Sequence, residues 1–183
     1  MNDAPFTRKS REVLVHNPWH RYCRDRYVQA DGSEGVYHYI DMAGSCAAIP
    51  VFADGSTVLV RVHRYLLGRD LWEFPIGGMK PGEQPLAIAQ KELHEEAGLL
   101  ADQWTPLGHF APYKGASNEI CWFWLARGLR EDRQELEPSE RITVHRLPFA
   151  EARTRLVDQE CGDGQSLAGL ALLDRWLARG NTL

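Results

Sequence analysis

Residues 77–99 read GGMKPGEQPLAIAQKELHEEAGL, and this stretch decides what the rest of the chain has to support. Its opening carries Gly77, Gly78, Pro81 and Gly82, a composition that argues for a loop without regular structure. Pro85 then suits a first helical turn, Leu86, Ala89, Leu93 and Ala97 recur at helical spacing, and Gly98 can end a helix by accepting positive φ. The spacing predicts a helix over about residues 84–97. On it Glu92, Glu95 and Glu96 stand at i, i+3 and i+4, which stacks three carboxylates on one face. Like charges so placed cost roughly a few tenths of a kcal/mol per pair when exposed and more when desolvated, so a cation is expected among them. Hard oxygen donors at this density suit Mg²⁺ or Mn²⁺. A bare E-x-x-E-E is more often a solvated acidic face. Here the glycine-rich loop around Gly77 carries Glu83 and offers backbone groups to a metal and a diphosphate, and the cation Lys91 immediately precedes the acids.

Working outward, the segment before residue 45 holds short strand-like runs at Glu12–His16, Arg21–Gln29 and Gly35–Asp41, separated by the turn signals Asn17-Pro18 and Asp31-Gly32. It reads as a small antiparallel N-terminal sheet, 1–44, ahead of a main domain at 45–183. Asp54-Gly55 marks a hairpin between Cys46 and Arg64, whose second arm sets Val58, Val60 and Val62 on one face and Leu59, Arg61 and His63 on the other. Trp72–Ile76 leads into the glycine loop, further strands are read at Thr105–Ala111, Ile120–Ala126 and Ile142–Arg146, and a closing amphipathic helix at about Gln165–Ala178. The fold class is α/β or α+β, strands with two or three helices.

A length of 183 residues with 44% hydrophobic and 25% charged residues fits one soluble globular domain with a small appendage. The net charge of −4 provides no basic field to draw nucleic acid or an anionic membrane, so a phosphate-bearing ligand needs local cations or a metal. The polar start and the short apolar window Met42–Ala53 contain neither signal peptide nor membrane span, and a cytoplasmic location is expected. Cys23, Cys46, Cys121 and Cys161 form no C-x-x-C pair and read as reduced structural thiols. For each of Trp19, Tyr22, Tyr27, Tyr37 and Tyr39 a core position is expected, with base stacking and an interface as the other uses of such residues.

The spacing Gly77, five residues, Glu83, seven residues, then Lys91-Glu92-Leu93-His94-Glu95-Glu96-Ala97-Gly98-Leu99 resembles the Nudix box, G-x5-E-x7-R-E-U-x-E-E-x-G-U with U apolar. Every defined position matches but one: Lys91 stands where the family has arginine, and an ammonium lacks the planar two-pronged donor set of a guanidinium. The resemblance implies the Nudix fold, a mixed sheet between helices, and two or three Mg²⁺ ions held mainly by Glu92 and Glu96, with Glu95 and the carbonyl of Ile76 contributing. It also implies that Glu83 and Lys91 orient the helix and its ligands from behind. Metals bridging diphosphate oxygens neutralise developing charge and activate a water for attack at phosphorus. The general base stays open between a box acid such as Glu95 and the acidic run Glu131–Glu140. Glu140 resembles the late glutamate of the ADP-ribose pyrophosphatase group, although Pro138 stands where some members carry a second acid, so that Glu137 substitutes, Glu140 acts alone or the base lies in the box itself.

The run Val62-His63-Arg64-Tyr65, the segment Trp72-Glu73-Phe74-Pro75 and the stretch Gly115–Glu119 are similar to ADP-ribose and nucleotide-sugar pyrophosphatases. That likeness implies a homodimer built through the N-terminal sheet, Arg64 on phosphate or ribose, and Glu73 lining the pocket. Val62 and Tyr113-Lys114-Gly115 depart from the strict ADP-ribose pattern, with Lys114 placed to meet a phosphate or sugar hydroxyl. The expected substrate is thus a nucleoside diphosphate sugar, ADP-ribose or a hexose derivative such as GDP-mannose. Two alternatives stand beside it: an RNA 5′-end or nucleoside triphosphate pyrophosphohydrolase, and a Nudix-fold ligand-sensing module without turnover.

Overall fold

A computed structural model describes residues 4–183. Strands β1 (Phe6–His16), β2 (Arg21–Gln29) and β3 (Glu34–Asp41) form an antiparallel sheet of their own, in that order. Residues 45–148 then give β4 (Ser45–Pro50), β5 (Ser56–Arg64), β6 (Arg69–Glu73), β7 (Ile76–Gly78), helix α1 (Pro85–Ala97), β8 (Leu99–Phe110), β9 (Cys121–Glu131) and β10 (Ile142–Pro148). Helices α2 (Phe149–Asp158) and α3 (Gly164–Leu177) close the chain. The strands from β4 onward form two sheets, ordered β10-β5-β6 and β7-β4-β9-β8. β4 and β9 run parallel; the other pairs in these two sheets are antiparallel.

Side-chain alternation along the strands explains why helices cover both faces. In β4, Ala47 and Ile49 join a cluster with Phe123, Leu125, Leu156 of α2 and Leu173 of α3, while Ala48 points the other way with Val58, Val60, Leu93 and Ala97 of α1. β5 divides as its spacing foretold on the valine face, Val58, Val60 and Val62 packing with α1. On its other face Leu59 is fully buried with the α2 and α3 residues, whereas Arg61 and His63 emerge into solvent. α3 approaches so closely that a Cβ on Gly169 would lie 2.3 Å from the Phe123 ring. Among the described residues no helix is long and apolar enough to cross a membrane.

Four features differ from the sequence reading. Asp54-Gly55 makes a turn, but the runs it joins are not a paired hairpin: β4 and β5 belong to different sheets, linked at the turn by the single bridge Val51–Thr57. Gly77 and Gly78 are strand, not loop: β4 offers them an edge, pairing Cys46 with Gly77 and Ser45 with Gly78. α2 had no counterpart, because it is short, charged and buries only Ala152 and Leu156. Of the N-terminal aromatics placed in the core, only Tyr39 is buried; Trp19, Tyr22 and Tyr37 are exposed and Tyr27 is half-buried. All four cysteines are free thiols, and burial pushes the Cys46 and Cys121 thiols up to about 12, too high for a nucleophile.

Candidate active site

The ends of several elements meet around one cavity of about 690 Å³: the start of β4, the end of β5, β6–β7, α1, the segment before β9, the loop before β10 and the first turn of α3. Two side-chain bridges hold the turn from β6 to β7 in place. Gln159, just after α2, exchanges both backbone bonds with Trp72, and Ser166 of α3 accepts from the buried Phe74 N–H at 2.9 Å. Without Ser166 that amide would be an unpaired buried donor. The result fixes Glu73 and Ile76 on either side of Phe74-Pro75.

On α1, Glu92 and Glu96 are buried and Glu95 is half-exposed. Glu96 accepts from the Ile76 amide at 2.9 Å and lines the cavity. Glu92 lies against Gly77 so closely that a Cβ there would sit 2.0 Å from its carboxyl carbon, which is the physical reason for glycine at that position. Glu95 turns instead to Lys91 at 2.5 Å, and Lys91 also reaches Glu92 at 3.4 Å. Burial first, and the charge of Glu92 second, push the Glu96 carboxyl up to about 8, and burial raises Glu92 as well. Burial opposes the charge on Lys91, but the bond to Glu95 and the nearness of Glu92 more than offset it and raise its pKa.

Arg64 and Glu73 pair with each other across neighbouring strands, the Arg64 Nε donating to Oε1 at 2.7 Å and Nη2 donating to Oε2. Both line the cavity. Burial raises the Glu73 carboxyl against the pull of Arg64, and the same bond raises Arg64. Nη1 is left outside the pair. Glu140 reaches the cavity because the loop ahead of it is strapped to the C-terminal end of α1. Gln134 donates to Glu96 O at 2.6 Å, the Glu135 amide to Glu95 O at 3.0 Å and the Asp132 amide to Gly98 O at 2.8 Å, filling carbonyls that the helix end leaves open. One Glu140 oxygen then accepts from the Glu137 amide at 2.8 Å.

The cavity therefore gathers Arg64, Glu73, Ile76, Gly77, Glu96 and Glu140. Glu92, Glu95 and Lys91 lie on the same helix beside it, and Glu83 closes its own loop by accepting from the Lys80 amide at 2.6 Å. Lys114 is exposed on a turn outside the cavity lining; that turn is fastened to β3 through Tyr37 Oη, which donates to Gly115 O at 2.9 Å. Ser45, Glu119, Asp163 and Gln165 also line the cavity, and the sequence reading assigned them nothing. Asp163-Gly164-Gln165-Ser166 reads as a helix start, but no spacing signal says where that start will lie.

The donor set fits a hard divalent cation. Two buried carboxylates, both raised by desolvation and by neighbouring carboxylates, are stabilised by one, and every donor is oxygen. Among the described residues no three His, Cys, Asp or Glu side chains converge on one point.

Residues 42–162 match the model of the NUDIX domain. The chain belongs to the Nudix hydrolase family. It is 33% identical over 173 residues to an ADP-ribose pyrophosphatase of Mycobacterium tuberculosis, spanning 93% of this chain and 84% of that protein. An ADP-ribose pyrophosphatase of Bacillus subtilis is 27% identical over 155 residues, 81% of this chain and 84% of the relative. The crystal structure of an ADP compounds hydrolase superposes with a TM-score of 0.82 over 98% of both chains at 20% identity, the same fold.

Proposed function

We propose that this Nudix hydrolase cleaves the diphosphate of a nucleoside diphosphate sugar, ADP-ribose or a hexose derivative such as GDP-mannose, to a nucleoside monophosphate and a sugar phosphate. The observation that carries the reading is the convergence of buried Glu96, the Arg64–Glu73 pair and Glu140 on one cavity large enough for a nucleotide sugar. The two curated relatives act, by name, on ADP-ribose and align over most of this chain.

Two or three Mg²⁺ ions, with Mn²⁺ as substitute, would be held by Glu92 and Glu96, with Glu95 and the Ile76 carbonyl contributing, and would supply charge neutralisation and an activated water. The protein's own part is positional. Gly77 lets Glu92 approach the loop, the Ile76 amide fixes one oxygen of Glu96, and Glu73 holds Arg64 with Nη1 left for an anionic oxygen. Support for Glu140 over Glu95 as general base comes from placement: Glu140 lines the cavity, whereas Glu95 is tied to Lys91.

A homodimer through the N-terminal sheet is supported by its exposed apolar side chains, among them Val13, Val15, Trp19 and Tyr22. Four free thiols suit a reducing compartment such as the cytoplasm. The test is a substrate panel with Mg²⁺ covering ADP-ribose, nucleotide sugars, dinucleoside polyphosphates, triphosphates and 5′-triphosphate RNA. Release of nucleoside monophosphate from the first two classes is expected, together with a loss of at least about a hundredfold in Glu96→Gln at unchanged folding. Turnover of triphosphates or RNA alone would replace the substrate assignment, and a fully active Glu96→Gln would remove Glu96 from the site.

A further inference from the structure

The segment that leads into β9 is fastened to the N-terminal sheet. The Ile40 amide, near the end of β3, donates to Ala116 O at 2.8 Å, and the Asn118 amide donates to Ile40 O at 3.3 Å, so residues 116–118 run parallel along the β3 edge. The side chain of Asn118 makes two further bonds. Its Nδ2 donates to Asp41 Oδ1 at 2.6 Å, and its Oδ1 accepts from the Met42 amide at 2.9 Å. Asp41 is buried; its other oxygen accepts from Arg21 of β2 and lies 3.7 Å from Arg11 of β1. The chain enters the cavity on either side of this junction, for Met42 follows Asp41, Glu119 follows Asn118, and both line it.

The chemistry of the junction is directional. A carboxylate only accepts and a backbone amide only donates, so Asp41 and the Met42 N–H together require one side chain with both a donor and an acceptor, as a carboxamide has. A carboxylate in place of Asn118 would set two negative charges at hydrogen-bond distance, one of them buried. Among the described residues, Glu92 and Glu96 on α1, Arg64 on β5 and Glu73 on β6 make no bond to Asn118 or Asp41. Loss of the junction therefore moves the wall and leaves those charged groups with the partners they have.

We infer that Asn118 and Asp41 are positioning residues whose bond holds Met42 and Glu119 in the cavity wall and so ties the seating of substrate to the N-terminal sheet. Neither lines the cavity itself. The inference rests on the nucleotide-sugar reading above. Seating of substrate is a matter of binding, so KM carries the effect and kcat is largely spared.

The experiment takes the nucleotide sugar that the wild type hydrolyses best and measures kcat and KM in wild type, Asn118→Asp, Asp41→Asn and the exchanged pair carrying both substitutions, with melting curves in parallel. Asn118→Asp is expected to raise KM about tenfold with kcat within about threefold of wild type, the size of one lost bond to a charged group. Asp41→Asn keeps an acceptor oxygen for Asn118 and is expected to raise KM about threefold. The exchanged pair again sets a donor against an acceptor, keeps an oxygen for the Met42 amide and leaves the net charge unchanged, so KM is expected to return to within about twofold of wild type. A residue that only stabilised the fold would lower the melting temperature and leave KM alone, and one that touched substrate itself would not be rescued by a change at Asp41. Wild-type KM in Asn118→Asp, a loss confined to kcat, or an exchanged pair no better than Asn118→Asp would overturn the inference. A wild type that hydrolyses no nucleotide sugar would instead defeat the substrate reading, and the positioning role with it.

Discussion

The loop and helix at residues 76–98 and the N-terminal sheet at residues 6–41 are built on opposite terms. In the first, nearly every polar group has a partner within the same protomer. Glu96 takes the Ile76 amide, Lys91 joins Glu95 and Glu92, Gly98 caps the helix with φ 62°, and Ile88, Ala89, Leu93 and Ala97 are buried beneath. In the second, all 11 residues of β1 are exposed, and Val13, Leu14, Val15, Trp19 and Tyr22 show apolar surface to solvent. Buried Cys23 and Tyr39 and the ion pairs of Arg11 and Arg21 with Asp25 and Asp41 do not add up to a core of its own. The first region is complete within one chain. The second leaves apolar side chains uncovered, the feature on which the proposed homodimer rests.

The sharpest way to break this contrast is to disturb the complete region where it has no slack. Gly77→Ala places a Cβ 2.0 Å from the Glu92 carboxyl carbon, so Glu92 must move by an ångström or more. Steady-state kinetics are expected to show kcat/KM reduced about a hundredfold with a melting temperature within a few degrees of wild type. A variant within threefold of wild type would mean that the place of Glu92 is unimportant.

A second perturbation addresses the incomplete region. Val13→Lys with Val15→Lys charges two side chains that are 45% and 61% exposed in the protomer and that touch no core. Light scattering at micromolar concentration is expected to shift from dimer to monomer, an effect of about tenfold or more on association, while the fold of residues 45–183 persists. An unchanged mass, or a monomeric wild type, would leave the N-terminal sheet without a partner of its own kind.

The smallest effect is on stability and concerns the buried charge. In chelator the unfolded chain ionises Glu96 near its ordinary 4.5 while the folded chain holds the proton until about 8, so the folded state carries more protons between those values. Stability then falls as pH rises from about 4.5 to about 8, and the gain in melting temperature on adding Mg²⁺ grows over the same window. Glu96→Gln should flatten that slope, leaving only the part that the raised Glu92 and Glu73 carboxyls contribute. A melting temperature in chelator with the same pH profile in both proteins would contradict the burial argument.

Much of this was legible in the chain. The helix over 84–97 is Pro85–Ala97, and the closing helix over 165–178 is Gly164–Leu177, because a 3.6-residue apolar repeat bounded by Pro, Asp and Gly is a local signal. Strands read at Thr105–Ala111, Ile120–Ala126 and Ile142–Arg146 are longer in the structure, reaching Leu99–Phe110, Cys121–Glu131 and Ile142–Pro148, since pairing extends a strand beyond its apolar part. Gly77 and Gly78 look like loop in isolation and become strand because β4 supplies a neighbouring edge. The N-terminal segment was legible as a sheet of its own, but its aromatics look like core because no local pattern tells that nothing among the described residues covers that sheet.

The sequence by itself determined that three carboxylates share one helix behind a glycine turn, which family of hydrolases carries such a turn, and roughly where the strands lie. These are matters of spacing within a few residues, and local sterics and periodicity decide them. Only the tertiary structure decided that Arg64 is held by Glu73, that Glu140 reaches the cavity while Glu95 turns to Lys91, and that Ser45, Glu119 and Gln165 meet in one wall. Ser45 and Gln165 are 120 positions apart in the chain, and their meeting depends on how β4, β9 and α3 pack together, which no local pattern encodes.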